Sequence, residues 1–174
     1  MRKTFALFGL LALAIPVAGV AGLRVGEGTL SVEDGQGRVT LQARGGVIGR
    51  LERGSVTIHD LSPEDAYDPY VVGYDQLRLV GEDGIRYGGV GLRFRLIGGK
   101  YRIVIEGRGI DLSVVAKGSG SIVAGQPGDP GVYSLDGADC RNVRASCKPL
   151  PEIARRFQLS AGGVEKSLVR SDAG

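Results

Sequence analysis

Between Gly89 and Ile122 the chain reads GVGLRFRLIGGKYRIVIEGRGIDLSVVAKGSGSI, apolar and polar residues alternating, with glycines at Gly98-Gly99, Gly107/Gly109 and Gly118/Gly120. Alternation of period two is the pattern of a strand with one buried face, and the glycine spacing is about one strand plus a tight turn. The stretch therefore reads as an antiparallel meander in which each run pairs with the next. A two-residue turn at Gly98-Gly99 sets Leu96 against Tyr101, Arg95 against Arg102 and Phe94 against Ile103. A second turn at Arg108-Gly109 sets Ile105 against Leu112 and Ile103 against Val114. The face formed by Leu92, Phe94, Leu96, Tyr101, Ile103, Ile105, Leu112, Val114 and Ala116 is then wholly apolar, and a slip of one residue would destroy it.

The same punctuation covers the rest of the chain. Of its 174 residues 30 are glycine, against an average usage of about 7%, and they fall between apolar runs as turns. Strands are expected over Leu23–Val32, Arg38–Arg44, Val47–Leu51 and Ser55–His59, then Tyr70–Val72, Gln76–Val80, Ile85–Tyr87, Ile122–Ala124, Val132–Leu135 and Ile153–Leu159. Ser62-Pro63-Glu64-Asp65 carries an N-cap serine, a proline at the first helical position and acids in the first turn, which predicts one helical turn near 62–67. The expected fold is all-β: an antiparallel β-sandwich or an open β-jelly roll built from short meander strands. It forms one domain over 22–159, followed by a disordered polar tail over 160–174.

The N-terminus carries an address. Met1-Arg2-Lys3 is cationic, Thr4 to Leu23 has no charge, and Gly19-x-Ala21 offers a small-residue processing site. This predicts a signal peptide over 1–21 and an exported protein of the periplasm, envelope or extracellular space. The alternative is an uncleaved membrane anchor over 4–23, since about 20 uncharged residues can span a bilayer. Only that alternative implies membrane contact. Without Arg2 and Lys3, 20 basic side chains face 19 acidic ones. No global field draws nucleic acid, and nucleic acid is not an expected partner.

Cys140 and Cys147 in an exported chain most simply form one disulfide. A zinc site needs about four ligands, and the lone His59 lies far from the cysteines in sequence. His59 is expected to point outward beside Asp60, and no G-x-S-x-G elbow accompanies it. The G-x-G pairs lack the spacing of dinucleotide or phosphate loops. Glu64, Asp65, Asp68 and Asp75 lack the spacing of a calcium loop. Glu106 and Asp111 would oppose each other near Arg108-Gly109, but no aromatic sugar platform accompanies that carboxylate pair. No catalytic, cofactor-binding or metal residue is therefore expected.

The remaining polar feature is cationic. Arg93, Arg95, Lys100 and Arg102 would share the outer face of the Gly98-Gly99 hairpin. Like charges opposed across strands are destabilising, so this cluster is either an anion-binding site or a charged face that guards against sheet association. The expected partner is an anionic envelope polymer or lipid.

Gly91 to Val115, with Gly131-Val132-Tyr133-Ser134-Leu135-Asp136-Gly137 and Leu150-Pro151, resembles a group of small exported bacterial β-proteins. That resemblance implies no enzymatic activity. The repeated short strands are also similar to the periplasmic β-jelly-roll domains of lipopolysaccharide transport, which implies, as an alternative, a carrier of amphiphiles in an apolar groove. The expected function is a non-enzymatic binding or structural role at the envelope.

Overall fold

The computed structural model describes residues 28–65 and 68–160. The expected leader or anchor, and the tail beyond Ser160, lie outside the described residues. The strands are β1 (Gly28–Asp60), β2 (Tyr70–Val72), β3 (Gln76–Val80), β4 (Gly84–Leu96), β5 (Lys100–Ala124), β6 (Val132–Ser134), β7 (Lys148–Pro149) and β8 (Arg155–Leu159). All pairings are antiparallel. A 3-10 turn at Pro63–Asp65 meets the helical expectation, and a second occurs at Arg144–Ser146. The all-β class holds; the short meander strands do not, because β1 has 33 residues and β5 has 25.

These two long strands pair with each other along both edges. Leu41 is flanked by Ile103 on one side and Gly120 on the other, positions 17 residues apart in β5. A straight strand of that length extends about 56 Å, whereas the two neighbours of one strand lie about 10 Å apart. β5 must therefore turn over twice between its two pairings, around Gly107–Gly109 and again near Ala116–Lys117, which leaves 100–107 and 117–124 running in the same direction. β1 turns over near 33–37, 44–46 and 52–54, and β4 near Gly91, where the registers shift or change layer.

The outcome is one sheet rolled into two layers. Layer one runs β3, 84–90, 53–60, 100–107, 37–44, 117–124, β8. Layer two runs β2, 92–96, 45–51, 110–116, 28–33, β6, β7. At one corner Gly54 and Gly107 are direct partners with φ of 151° and 154°. A Cβ on Gly107 would lie 2.2 Å from the Arg53 carbonyl oxygen, and one on Gly54 lies 2.1 Å from that of Glu106. Only two facing glycines let the backbones approach this closely.

The inward residues of both layers form one core, including Leu30, Leu41, Val56, Leu92, Tyr101, Ile103, Ile110, Ile122, Tyr133 and Phe157. All nine residues of the expected apolar face are buried. Their expected pairing is corrected. Gly98 N donates to Gly45 O (3.1 Å) and Gly45 N donates to Gly99 O (3.3 Å), so the chain runs on past β1 into β5 without a hairpin. Phe94 opposes Gly49 and Val71, Ile103 opposes Leu41 and Ile58, and Leu112 opposes Val32 and Gly49. In a two-layer fold every inward position is apolar, so any pairing that keeps the phase yields an apolar face. Alternation identifies the face but does not choose the neighbour. Ser62, which directly precedes the 3-10 turn at Pro63–Asp65, accepts from Lys100 N with its hydroxyl (2.9 Å) and fastens the start of β5.

An arginine-lined cleft as candidate site

The expected cationic cluster is divided by the roll. Lys100 and Arg102 lie in layer one, opposite Arg44 and, for Arg102, between Gln42 and His59. Arg93 and Arg95 lie in layer two, between β2 and β1. Arg95 and Arg102 are not cross-strand partners, so the like-charge pairing that the hairpin implied does not arise.

A different set gathers around the layer-two half. Between the inward residues of each strand stand the outward ones: Arg93 and Arg95 in β4, Ile48 and Arg50 in β1, and Asp111 and Ser113 in β5. Register aligns them in two rows across the sheet, Val72–Arg93–Arg50–Asp111 and Tyr70–Arg95–Ile48–Ser113. They line a cleft of about 640 Å³ whose further wall is Arg141. Arg50 therefore does oppose Arg93 directly, and the strain of like charges is relieved on its other side. The Arg50 guanidinium donates to Asp111 Oδ2, and that hydrogen bond raises the arginine's pKa above its ordinary value. The Asp111 side chain is only 6% exposed. Its other oxygen accepts from Asp34 N at 2.8 Å, which holds Asp34 in a left-handed conformation (φ 51°) that residues other than glycine seldom adopt. Among the described residues Arg93, Arg95 and Arg141 have no ion-pair partner.

Arg141 reaches the cleft because of the disulfide. Cys140 and Cys147 are bonded, as expected, which is compatible with an oxidising, exported location. Cys140 N donates to the Ser31 hydroxyl (3.0 Å) on the strand beside 110–116, so the loop is pinned on the outer face of layer two. Asp139 accepts from Arg141 N (3.1 Å) and from the Asn142 amide (2.7 Å), ordering the turn that carries Arg141. Replacing both cysteines by serine removes a constraint on the unfolded chain worth about 2.5 kcal/mol for so short a loop. Chemical denaturation is expected to read a loss of about that size, and amide exchange over 138–148 is expected to accelerate. Unchanged exchange there would show that the hydrogen bonds to Ser31 and Pro130 and the β6–β7 pairing hold the loop without the disulfide.

The other candidate groups are dispersed. His59 Nδ1 bonds Asp83 Oδ1 (3.0 Å) and not Asp60, and the bond holds the Asp83 carboxyl below its ordinary value of 3.8. Asp60 instead accepts from Ser62 N (2.9 Å). Glu106 pairs with Arg38 (3.4 Å) and Arg86 (3.6 Å) in layer one, while Asp111 belongs to layer two, so they form no carboxylate pair. Arg102 instead borders a separate depression of mixed lining with Thr40, Leu41, Gln42, Ser121, Arg156 and Phe157. Sequence reasoning missed Arg50, Arg141, Ile48 and Tyr70 as site residues, and weighed Asp111 only as a carboxylate partner of Glu106. Alternation puts Ile48 and Arg50 on the same outward face of one strand, but no local signal brings them beside Arg93 and Arg95. No protein-family model, curated protein or solved structure matches the chain.

Proposed function

We propose that the protein is a non-enzymatic binding module exported to the cell envelope, and that it engages an anionic ligand through the cleft of Arg93, Arg95 and Arg141. The observation that supports this reading is the convergence of three arginines without acidic partners, from β4 and from a disulfide-fixed loop, beside an Arg50 already neutralised by Asp111. Exposed like charges on one face repel by a few tenths of a kcal/mol each. An arriving anion relieves that repulsion, and guanidinium groups match phosphate and carboxylate oxygens bidentately. On a phosphocellulose column the Arg93→Gln/Arg95→Gln variant is expected to elute at distinctly lower salt than the native chain. A control that loses equal charge elsewhere, Arg108→Gln/Lys117→Gln, is expected to elute close to the native position. Equal shifts for the two variants would reduce the cleft to general surface charge.

A second reading, a carrier of amphiphiles between the layers, rests on one observation. Leu77 and Leu79 continue the inner phase of Val56–Tyr87 and Ile58–Ile85, yet Leu79 is 79% exposed. They form an apolar ledge where layer one ends. Native mass spectrometry of the purified protein discriminates the readings. Co-purified lipid that is lost in Leu79→Asp but kept in Arg93→Gln/Arg95→Gln favours the carrier, and lipid-free protein counts against it.

A further inference from the structure

Resting on the anion-binding reading, we infer that the cleft takes an anion with an apolar stem: a single-chain anionic amphiphile, held as a monomer. The argument starts from what flanks the charge. In the row Tyr70–Arg95–Ile48 the central arginine stands between two apolar side chains on the outer face of the sheet, beside the outward polar positions Arg93, Arg50, Asp111 and Ser113. Tyr70 is 60% and Ile48 55% exposed. Gly49, between Ile48 and Arg50, adds no side chain, and its backbone lies against the Phe94 ring, which also borders the cleft. One wall is therefore cationic and the floor beside it is apolar.

A bare inorganic anion would use the arginines and leave Tyr70 and Ile48 in water. An anion with a hydrocarbon stem uses both, because its head meets Arg93, Arg95 and Arg141 while its stem covers Ile48 and Tyr70. The volume, about 640 Å³, is within the range of about 300–1,000 Å³ of small-molecule sites. The Arg141 loop closes one side of the cleft, a concave shape that suits a single molecule better than the plane of a bilayer. Charge complementarity thus names the head, and the two exposed apolar side chains name the stem.

The test is calorimetric titration of the full chain with inorganic phosphate, with octyl phosphate below its micellar concentration, with octyl glucoside, and with phosphatidylglycerol vesicles. Octyl phosphate is expected to bind about tenfold tighter than inorganic phosphate, the ratio for covering about 60 Å² of stem. Octyl glucoside is expected not to bind. Ile48→Ser/Tyr70→Ser should bring octyl phosphate down to the affinity of inorganic phosphate, while leaving the latter unchanged. Equal affinities for the two phosphates in the native chain would overturn the amphiphile inference and leave anion binding intact. Vesicle binding without octyl phosphate binding would overturn it in favour of a membrane surface. No binding of any phosphate would remove both this inference and the reading beneath it.

Discussion

Gly107→Val is expected to leave the protein largely unfolded or, at the least, to lower its melting temperature by about 8–16 °C. The corner at Gly54 and Gly107 is where β1 and β5 pass between layers while still paired. A side chain at 107 would begin 2.2 Å from the Arg53 carbonyl oxygen, well inside van der Waals contact, and that oxygen belongs to a ladder that cannot move independently. The φ of 154° adds its own cost for any residue with a Cβ. Together these set a destabilisation of at least about 4 kcal/mol, a large part of the roughly 5–15 kcal/mol that holds a domain of ordinary stability. Gly46→Ala is the control. It also sits at a corner, but its new methyl would meet only Val115 O, at 3.8 Å. A Gly→Ala change at an unstrained site is neutral or stabilises by about 0.5 kcal/mol. Thermal denaturation followed by circular dichroism reads both variants. A melting temperature for Gly107→Val within about 3 °C of the native value would mean that the layers are joined by some other route.

That corner also shows which parts of the fold were legible. The runs Val39–Leu51, Leu92–Leu96 and Tyr101–Ala116 bury the residues that alternation marks as inward, and the strand class and the position of the first 3-10 turn follow from local residues alone, whereas Gln76–Val80 alternates in sequence yet is exposed throughout. Glycine was misread in function. Gly98-Gly99 and Arg108-Gly109 have the composition of hairpin turns, yet they are bends in chains that keep running. A two-residue turn and a layer-changing corner both demand glycine. What separates them is whether the partner lies next in sequence or 50 to 60 residues back, as β1 lies from β5, and no local pattern encodes that distance. The cationic site failed and succeeded for the same reason. Outward phase placed Arg93 and Arg95 together because they share a strand, while Lys100 and Arg102 were attached through a hairpin that does not form. Arg50 and Arg141 arrive only through β1 pairing and through the disulfide loop.

Asp111 allows stability and binding to be pulled in opposite directions. The carboxylate does two things: Oδ1 accepts from Asp34 N, and Oδ2 neutralises Arg50. Asp111→Ala removes both, leaving the Asp34 N–H without its carboxylate and Arg50 facing Arg93 with no counter-charge. The lost hydrogen bond costs about 1 kcal/mol, because Asp34 is exposed and water can replace the acceptor. The lost ion pair adds less than a fully buried one would, because the Arg50 side chain is 65% exposed and solvent screens it. A total of about 1–2 kcal/mol is expected. Asp111→Asn keeps an oxygen for Asp34 N and nearly the same shape, so only the charge is lost, at about 1 kcal/mol. The same substitution raises the charge of the cleft by one and frees Arg50 to join Arg93, Arg95 and Arg141. Inorganic phosphate should then bind several-fold tighter at low salt, the gain shrinking as ionic strength rises and the Debye length falls from about 30 Å at 0.01 M to about 8 Å at 0.15 M. A protein less stable than native yet tighter in phosphate binding is not the result expected of a purely structural ion pair. If Asp111→Asn instead weakens phosphate binding, Arg50 must be held by Asp111 in the orientation the ligand needs, and the carboxylate belongs to the binding machinery as a positioning group.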